Sequence, residues 1–99
     1  MVVDKLKIIW THTAKAQLKT IFDYYKGKSA QGATNVKDDI LKITRELHYA
    51  EQYQQDEIEP EYRRIIIRDY KLLYKEEEKG VVFIARIFCT KQNPNKQLE

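Results

Sequence analysis

Apolar and polar positions repeat with two different periods along this chain, and the change of period divides it into elements. From Ala14 to Tyr25 the apolar residues Ala14, Leu18, Ile21, Phe22 and Tyr25 recur at helical spacing, with Lys15, Lys19, Asp23 and Lys26 on the other side. This predicts an amphipathic helix ending near Gly27. Thr11 or Thr13 can cap it, because a hydroxyl satisfies free amides at a helix start. The segment KGKSAQG is a short connection. A second helix is predicted from about Ala33 to Tyr49, with Val36, Ile40, Ile43 and Leu47 on one face. The two stripes match in length, which predicts a helical hairpin laid over one face of a sheet.

A period of two holds elsewhere. Lys5 to Trp10 alternates weakly and reads as a strand. Tyr62 to Pro94 reads as three strands, YRRIIIR, KLLYK and VVFIARIF, rich in β-branched and aromatic residues and bounded by turn signals. Taking Asp69-Tyr70 as a two-residue turn pairs Arg68 with Lys71, Ile67 with Leu72 and Ile65 with Tyr74. The charged run Glu76-Glu77-Glu78, ending in Gly80, is the second turn. Alternation then puts Ile65, Ile67, Leu72, Tyr74, Phe83, Ala85 and Ile87 on a core face. Arg64, Ile66, Arg68, Lys71, Leu73, Lys75, Val82, Ile84, Arg86 and Phe88 fall on the opposite face. The predicted fold is α+β: a two-layer sandwich of an N-terminal strand, a helical hairpin and a three-stranded antiparallel meander.

The chain of 99 residues accommodates one domain, with Leu98-Glu99 set aside as a cloning remnant. The net charge of +3 is modest, but its distribution is uneven. Glu51 to Glu61 holds five acids and no base, whereas Tyr62 to Lys75 holds five bases and one acid. That contrast predicts an acidic loop beside a basic sheet, and an anionic partner for the sheet. One cysteine excludes an internal disulfide and a cysteine zinc site, consistent with a reducing cytoplasm. No apolar run approaches the ~20 residues that span a membrane, and the N-terminus lacks the apolar segment of a signal peptide.

The candidate chemistry lies on the basic face. Arg64, Arg68, Lys71, Lys75 and Arg86, with Lys91 beyond the last strand, form a cationic surface over an apolar floor of Ile66, Leu73 and Ile84. Arginine suits phosphate and carboxylate by its bidentate geometry. A solvated sheet face is the commonest fate of such residues, but the apolar floor and the single sign of charge favour a binding surface. His12 and His48 fall at helix ends without a ligand cluster around them, so neither a metal nor a cofactor is expected. Cys89 reads as a packing residue rather than a nucleophile.

The order of these pieces resembles the RelE/ParE toxins of bacterial type II toxin–antitoxin systems. Trp10-Thr11-x-x-Ala14-x-x-x-Leu18-x-x-Ile21-x-x-Tyr24 is similar to that family's opening strand and first helix. Tyr62-Arg63-Arg64, then Asp69-Tyr70-Lys71-Leu72-Leu73-Tyr74, resembles its next two strands. Phe83-Ile84-Ala85-Arg86-Ile87 with Lys91-Gln92-Asn93-Pro94 resembles its closing strand and basic tail. The resemblance implies an antiparallel sheet with the N-terminal strand beside the last. It also implies a cytoplasmic toxin held inactive by a cognate antitoxin in a hetero-oligomer.

Two mechanisms follow from that resemblance. ParE-like members poison DNA gyrase, and RelE-like members cleave messenger RNA in the ribosomal A site. Arg64, Lys71 and Arg86 are the candidate catalytic or phosphate-holding residues for the second. The nuclease also needs a proton donor and acceptor, yet Cys89 and Thr90 stand about where related nucleases carry a His-Tyr pair, and Tyr74 is expected in the core. Target blockade is therefore the leading expectation. A ribosome-dependent endoribonuclease is the alternative, and an inactive relative or interaction module the second alternative. Ile66, Leu73 and Ile84 are the expected antitoxin contacts, with the helical hairpin as the alternative surface.

Overall fold

Thr11 joins three parts of the fold. It follows the first strand, caps the first helix through a 3.2 Å bond from the Ala14 amide, and ties the last strand to both. The computed structural model describes residues 6–91. The elements are β1 (Lys7–Trp10), α1 (His12–Lys26), α2 (Ala30–Arg45), a short 3-10 turn (Ala50–Gln52), β2 (Arg63–Ile67), β3 (Tyr70–Glu78) and β4 (Val81–Cys89). Two helices pack on a four-stranded sheet, the α+β two-layer arrangement expected from the stripes. Lys5, Gln92, Asn93, Pro94 and Leu98-Glu99 lie outside the described residues.

The strand order is β1-β4-β3-β2, with β1 beside the last strand. That pair is parallel, however, so the sheet is mixed rather than antiparallel. The meander alternates direction, which makes β2 and β4 run the same way. The return through residues 46–62 starts β2 in the direction of β1.

Register differs from expectation in two places. Ile67 pairs with Tyr70, so the tight turn is Arg68-Asp69 rather than Asp69-Tyr70. Arg68 takes φ 52°, in the left-handed region. Tyr70 instead opens β3 and is buried, since an aromatic gains more in the core than at a turn. Each partner moves by two residues (Ile65 faces Leu72), so Ile65, Ile67, Leu72 and Tyr74 keep the core face. Glu76 to Glu78 belong to β3, and the following turn is made at Gly80 with φ 83°.

The second difference changes faces. Leu73 pairs with Arg86 but Tyr74 pairs with Ile84, so Ala85 is bulged out of the ladder. The Thr11 hydroxyl points at both sides of this bulge, 2.8 Å from the Ile84 carbonyl and 3.1 Å from that of Ala85. Upstream of the bulge the alternation inverts. Val82 and Ile84 enter the core, and Phe83 turns to the outer face opposite Lys75. Ile87, Arg86 and Phe88 keep the expected sides.

The core joins Ala14, Ile21, Val36, Ile40 and Leu47 from the helical side to Ile65, Tyr70, Leu72, Tyr74, Val82, Ile84 and Ile87 from the sheet. Helix α2 starts at Ala30, earlier than the expected Ala33, because Ser29 caps it with a 3.1 Å bond from the Gly32 amide. It stops at Arg45, short of Tyr49, and Leu47 is buried just beyond its end.

Candidate functional site

The acidic loop does not stand beside the sheet; it lies across it. Residues 53–62 fold back over the outer face, held by main-chain bonds from Arg64 N to Gln54 O (3.0 Å) and from Asp56 N to Tyr62 O (2.9 Å). Arg63 reaches the Tyr53 carbonyl at 2.7 Å. Asp56 turns the loop by accepting the amides of Ile58 (3.2 Å) and Glu59 (2.8 Å) on one carboxylate oxygen. Its other oxygen meets Lys71 Nζ at 2.8 Å and Arg64 Nη1 at 3.8 Å. Glu59 pairs with Arg86. Glu57 lies 3.9 Å from Arg64 and is itself exposed.

These contacts answer the charge pattern of the sequence. The anionic partner expected for the basic sheet is the chain's own loop. A buried carboxylate needs such pairing, since an isolated charge out of water is strongly unfavourable. Leu73, on the outer face between Arg64 and Arg86, is fully buried. An apolar side chain between cations requires a cover, and the loop lies over that face.

The remaining site residues are dispersed. Arg68 leaves the cluster and grips Asp39 of α2 at 3.0 and 2.5 Å. Lys75 lies near Glu77 (3.7 Å) beside a shallow hollow of Tyr62, Phe83 and Ala85. Lys91 meets Asp69 at 3.3 Å on the surface. Of the three expected apolar contacts, only Ile66 is exposed, at 55%. Leu73 lies on the covered outer face and Ile84 in the core, where the Ala85 bulge turns it. Neither offers a docking surface in this conformation.

The two tyrosines of β3, Tyr70 and Tyr74, are structural. Tyr74 is buried, its hydroxyl donates a 2.6 Å bond to the Ala50 carbonyl, and burial pushes its pKa up to about 12. Burial likewise raises Tyr70, reinforced by its hydrogen bond with Tyr25. Both face the helices. His12 opens α1 as expected, whereas His48 lies beyond the end of α2. Among the described residues no three His, Cys, Asp or Glu side chains gather as a metal site, and no helix is long and apolar enough to cross a membrane.

A second surface lies on the helical layer, the hairpin expected as the alternative antitoxin surface. Trp10, Leu18, Phe22 and Leu41 floor a groove of about 540 Å³ rimmed by Lys15, Lys19 and Lys37 and by Asp23, which lies 3.4 Å from Lys19. Lys37 Nζ stands 5.4 Å above the Phe22 ring. Residues 7–45 carry eight lysines and arginines against three aspartates, a net of +5. Residues 46–91 carry eight against ten acids, a net of −2. The excess positive charge therefore belongs to the helices. The missed signal was Asp56-x-x-Glu59 in the loop, which cancels the sheet's own cations.

The sequence profile described as ParE toxin of type II toxin-antitoxin system, parDE, matches residues 8–94. Among solved structures, a chain from the chromosomal ParDE TA system of P. aeruginosa is similar, with a TM-score of 0.74 at 19% sequence identity. The match covers 85% of this chain and 95% of that one. At that identity the likeness speaks for the fold. No match was found among the curated proteins.

Proposed function

The chain belongs to the ParE toxin family of type II toxin–antitoxin systems, and from that premise we propose that it acts by blocking a large target, DNA gyrase, rather than by cutting RNA. It is the toxin half of such a system, which implies a cognate antitoxin. The observation that carries the reading is the engagement of Arg64, Lys71 and Arg86 by Asp56 and Glu59. A nuclease needs those cations on the scissile phosphate and an acid–base pair beside it. The described end of the closing segment offers Cys89, Thr90 and Lys91. Loss of general acid–base help costs on the order of 10²–10⁴ in rate.

The antitoxin contact best supported is the helical groove rather than Ile66, Leu73 and Ile84. Its apolar floor and lysine rim suit an acidic amphipathic segment, and stable interfaces of this kind bury about 1,200 Å² or more. Both the partner and the target belong to the cytoplasm, which is the compartment proposed for this chain.

The test is primer extension on messenger RNA from cells expressing the protein, beside a gyrase supercoiling assay. Inhibited supercoiling without cuts is the expected result. Codon-positioned cuts that vanish in Arg86→Ala would overturn blockade in favour of the ribonuclease. For the antitoxin contact, Lys15→Glu, Lys19→Glu and Lys37→Glu together weaken association by roughly tenfold or more and flatten its salt dependence. Unchanged affinity would remove the helical groove from the interface.

A further inference from the structure

We propose that residues 53–62 are an autoinhibitory strap, closing a latent phosphodiester-binding face of the sheet by placing the Asp56 and Glu59 carboxylates where phosphates would sit. The inference stands on the sheet and its loop and does not depend on the toxin's target. Three observations carry it.

The cations under the strap have the chemistry of a phosphate site. Arg64 and Arg86 present planar forks and Lys71 a point charge, all on one face. Each meets a carboxylate of the strap: Arg64 and Lys71 that of Asp56, Arg86 that of Glu59. A carboxylate oxygen and a phosphate oxygen ask for the same donors.

The same face carries aromatic rings next to the cations. Arg86 lies 5.7 Å from the Phe88 ring centroid. Tyr62 and Phe83 line the adjoining hollow with Lys75. Cations interleaved with rings are what a single-stranded nucleic acid uses, through backbone charge and base stacking. An acidic peptide is the less fitting ligand. The strap is already one, present at an effective concentration on the order of millimolar. A peptide in trans repeats what the strap supplies, whereas a nucleic acid adds bases to stack.

The strap is attached by few main-chain bonds, and its charges do the closing. Asp56 is 1% exposed and bonded both to its own loop and to the sheet, which makes it the latch. Glu59 secures the other end at Arg86. Neutralising these carboxylates without altering their shape leaves the sheet cations in place and removes the two inward-facing competitors, while the exposed Glu57 stays 3.9 Å from Arg64.

The experiment measures fluorescence anisotropy of a short labelled single-stranded RNA with the full chain, at several salt concentrations. Asp56→Asn with Glu59→Gln is expected to tighten binding roughly tenfold and to steepen the salt slope by about two contacts. Adding Arg64→Ala and Arg86→Ala should reverse the gain. Asp38→Asn with Glu46→Gln changes net charge equally on the helical layer, away from the sheet face, and should leave binding near that of the unmodified chain. If the double variant fails to fold, Glu59→Gln alone keeps Asp56 in place and must still tighten binding at Arg86. The proposal is overturned by no tightening in a folded strap variant, or by an equal gain in the Asp38/Glu46 control. A gain that survives loss of Arg64 and Arg86 also overturns it, as does a polyglutamate peptide binding the strap variant as tightly as RNA.

Discussion

Asp56 Oδ1 lies 2.8 Å from Lys71 Nζ, with the two side chains 0% and 13% exposed. The pair joins the acidic loop to the middle of the sheet at a point neither could occupy alone. Removing one partner of a buried pair leaves an uncompensated charge and costs about 3–5 kcal/mol. Asp56→Ala is therefore expected to lower stability by that amount in urea unfolding. Asp56→Asn should cost less, because its amide oxygen can still accept from the Ile58 and Glu59 amides. Equal losses would mean that the loop turn contributes nothing.

Leu73 and Ile66 share the outer face but not an environment. Leu73→Ala should cost about 2–5 kcal/mol, since it empties a fully buried site. Ile66→Ala should stay within about 0.5 kcal/mol, because its side chain is largely in water. Thermal unfolding of the two variants decides whether the loop covers this face in solution.

Thr11→Val keeps the shape at the β1–α1 junction and removes the hydroxyl. It loses the cap on Ala14 N and the links to the bulged Ile84 and Ala85 carbonyls. The expected loss is about 1–3 kcal/mol. Faster amide exchange around Ala85 than in the unmodified chain would accompany it. Unchanged exchange there would mean that the bulge does not depend on Thr11.

Tyr74 links stability to alkaline pH. Its pKa is raised from 10.0 to about 12 in the folded chain, chiefly by burial. The folded state therefore holds this proton more tightly than the unfolded state. The stabilisation is complete below pH 10 and is lost as pH rises through about 12. Tyr74→Phe lacks this proton. The stability advantage of the unmodified chain over Tyr74→Phe should shrink across that window, read from urea unfolding at each pH. A constant difference would contradict the buried hydroxyl.

Local pattern alone determined the elements and their order. The stripes Ala14/Leu18/Ile21/Tyr25 and Val36/Ile40/Ile43/Leu47 gave two helices for one sheet, because helical periodicity is a property of neighbouring residues. The β-branched runs gave the meander. The order of these pieces, with the Trp10-Thr11 opening and the Tyr62-Arg63-Arg64 strand, pointed to the toxin family. The tight turn was misplaced by one residue without harm, since a shift of two in partner preserves the face.

Tertiary structure decided which side chains the surface keeps. A bulge at Ala85 carries no strong local signal, yet it inverts the alternation upstream and moves Ile84 from surface to core. The strand pattern fixed Arg64, Lys71 and Arg86 on one face, but not what stood opposite them. Charges separated in sequence compensate only when the chain folds them into reach. The local turn at Asp56 shapes the loop, but only the pairs with Arg64, Lys71 and Arg86 and the cover over Leu73 set it on the sheet. The same folding left the net positive charge on the helical layer, where residues 7–45 carry eight lysines and arginines against three aspartates.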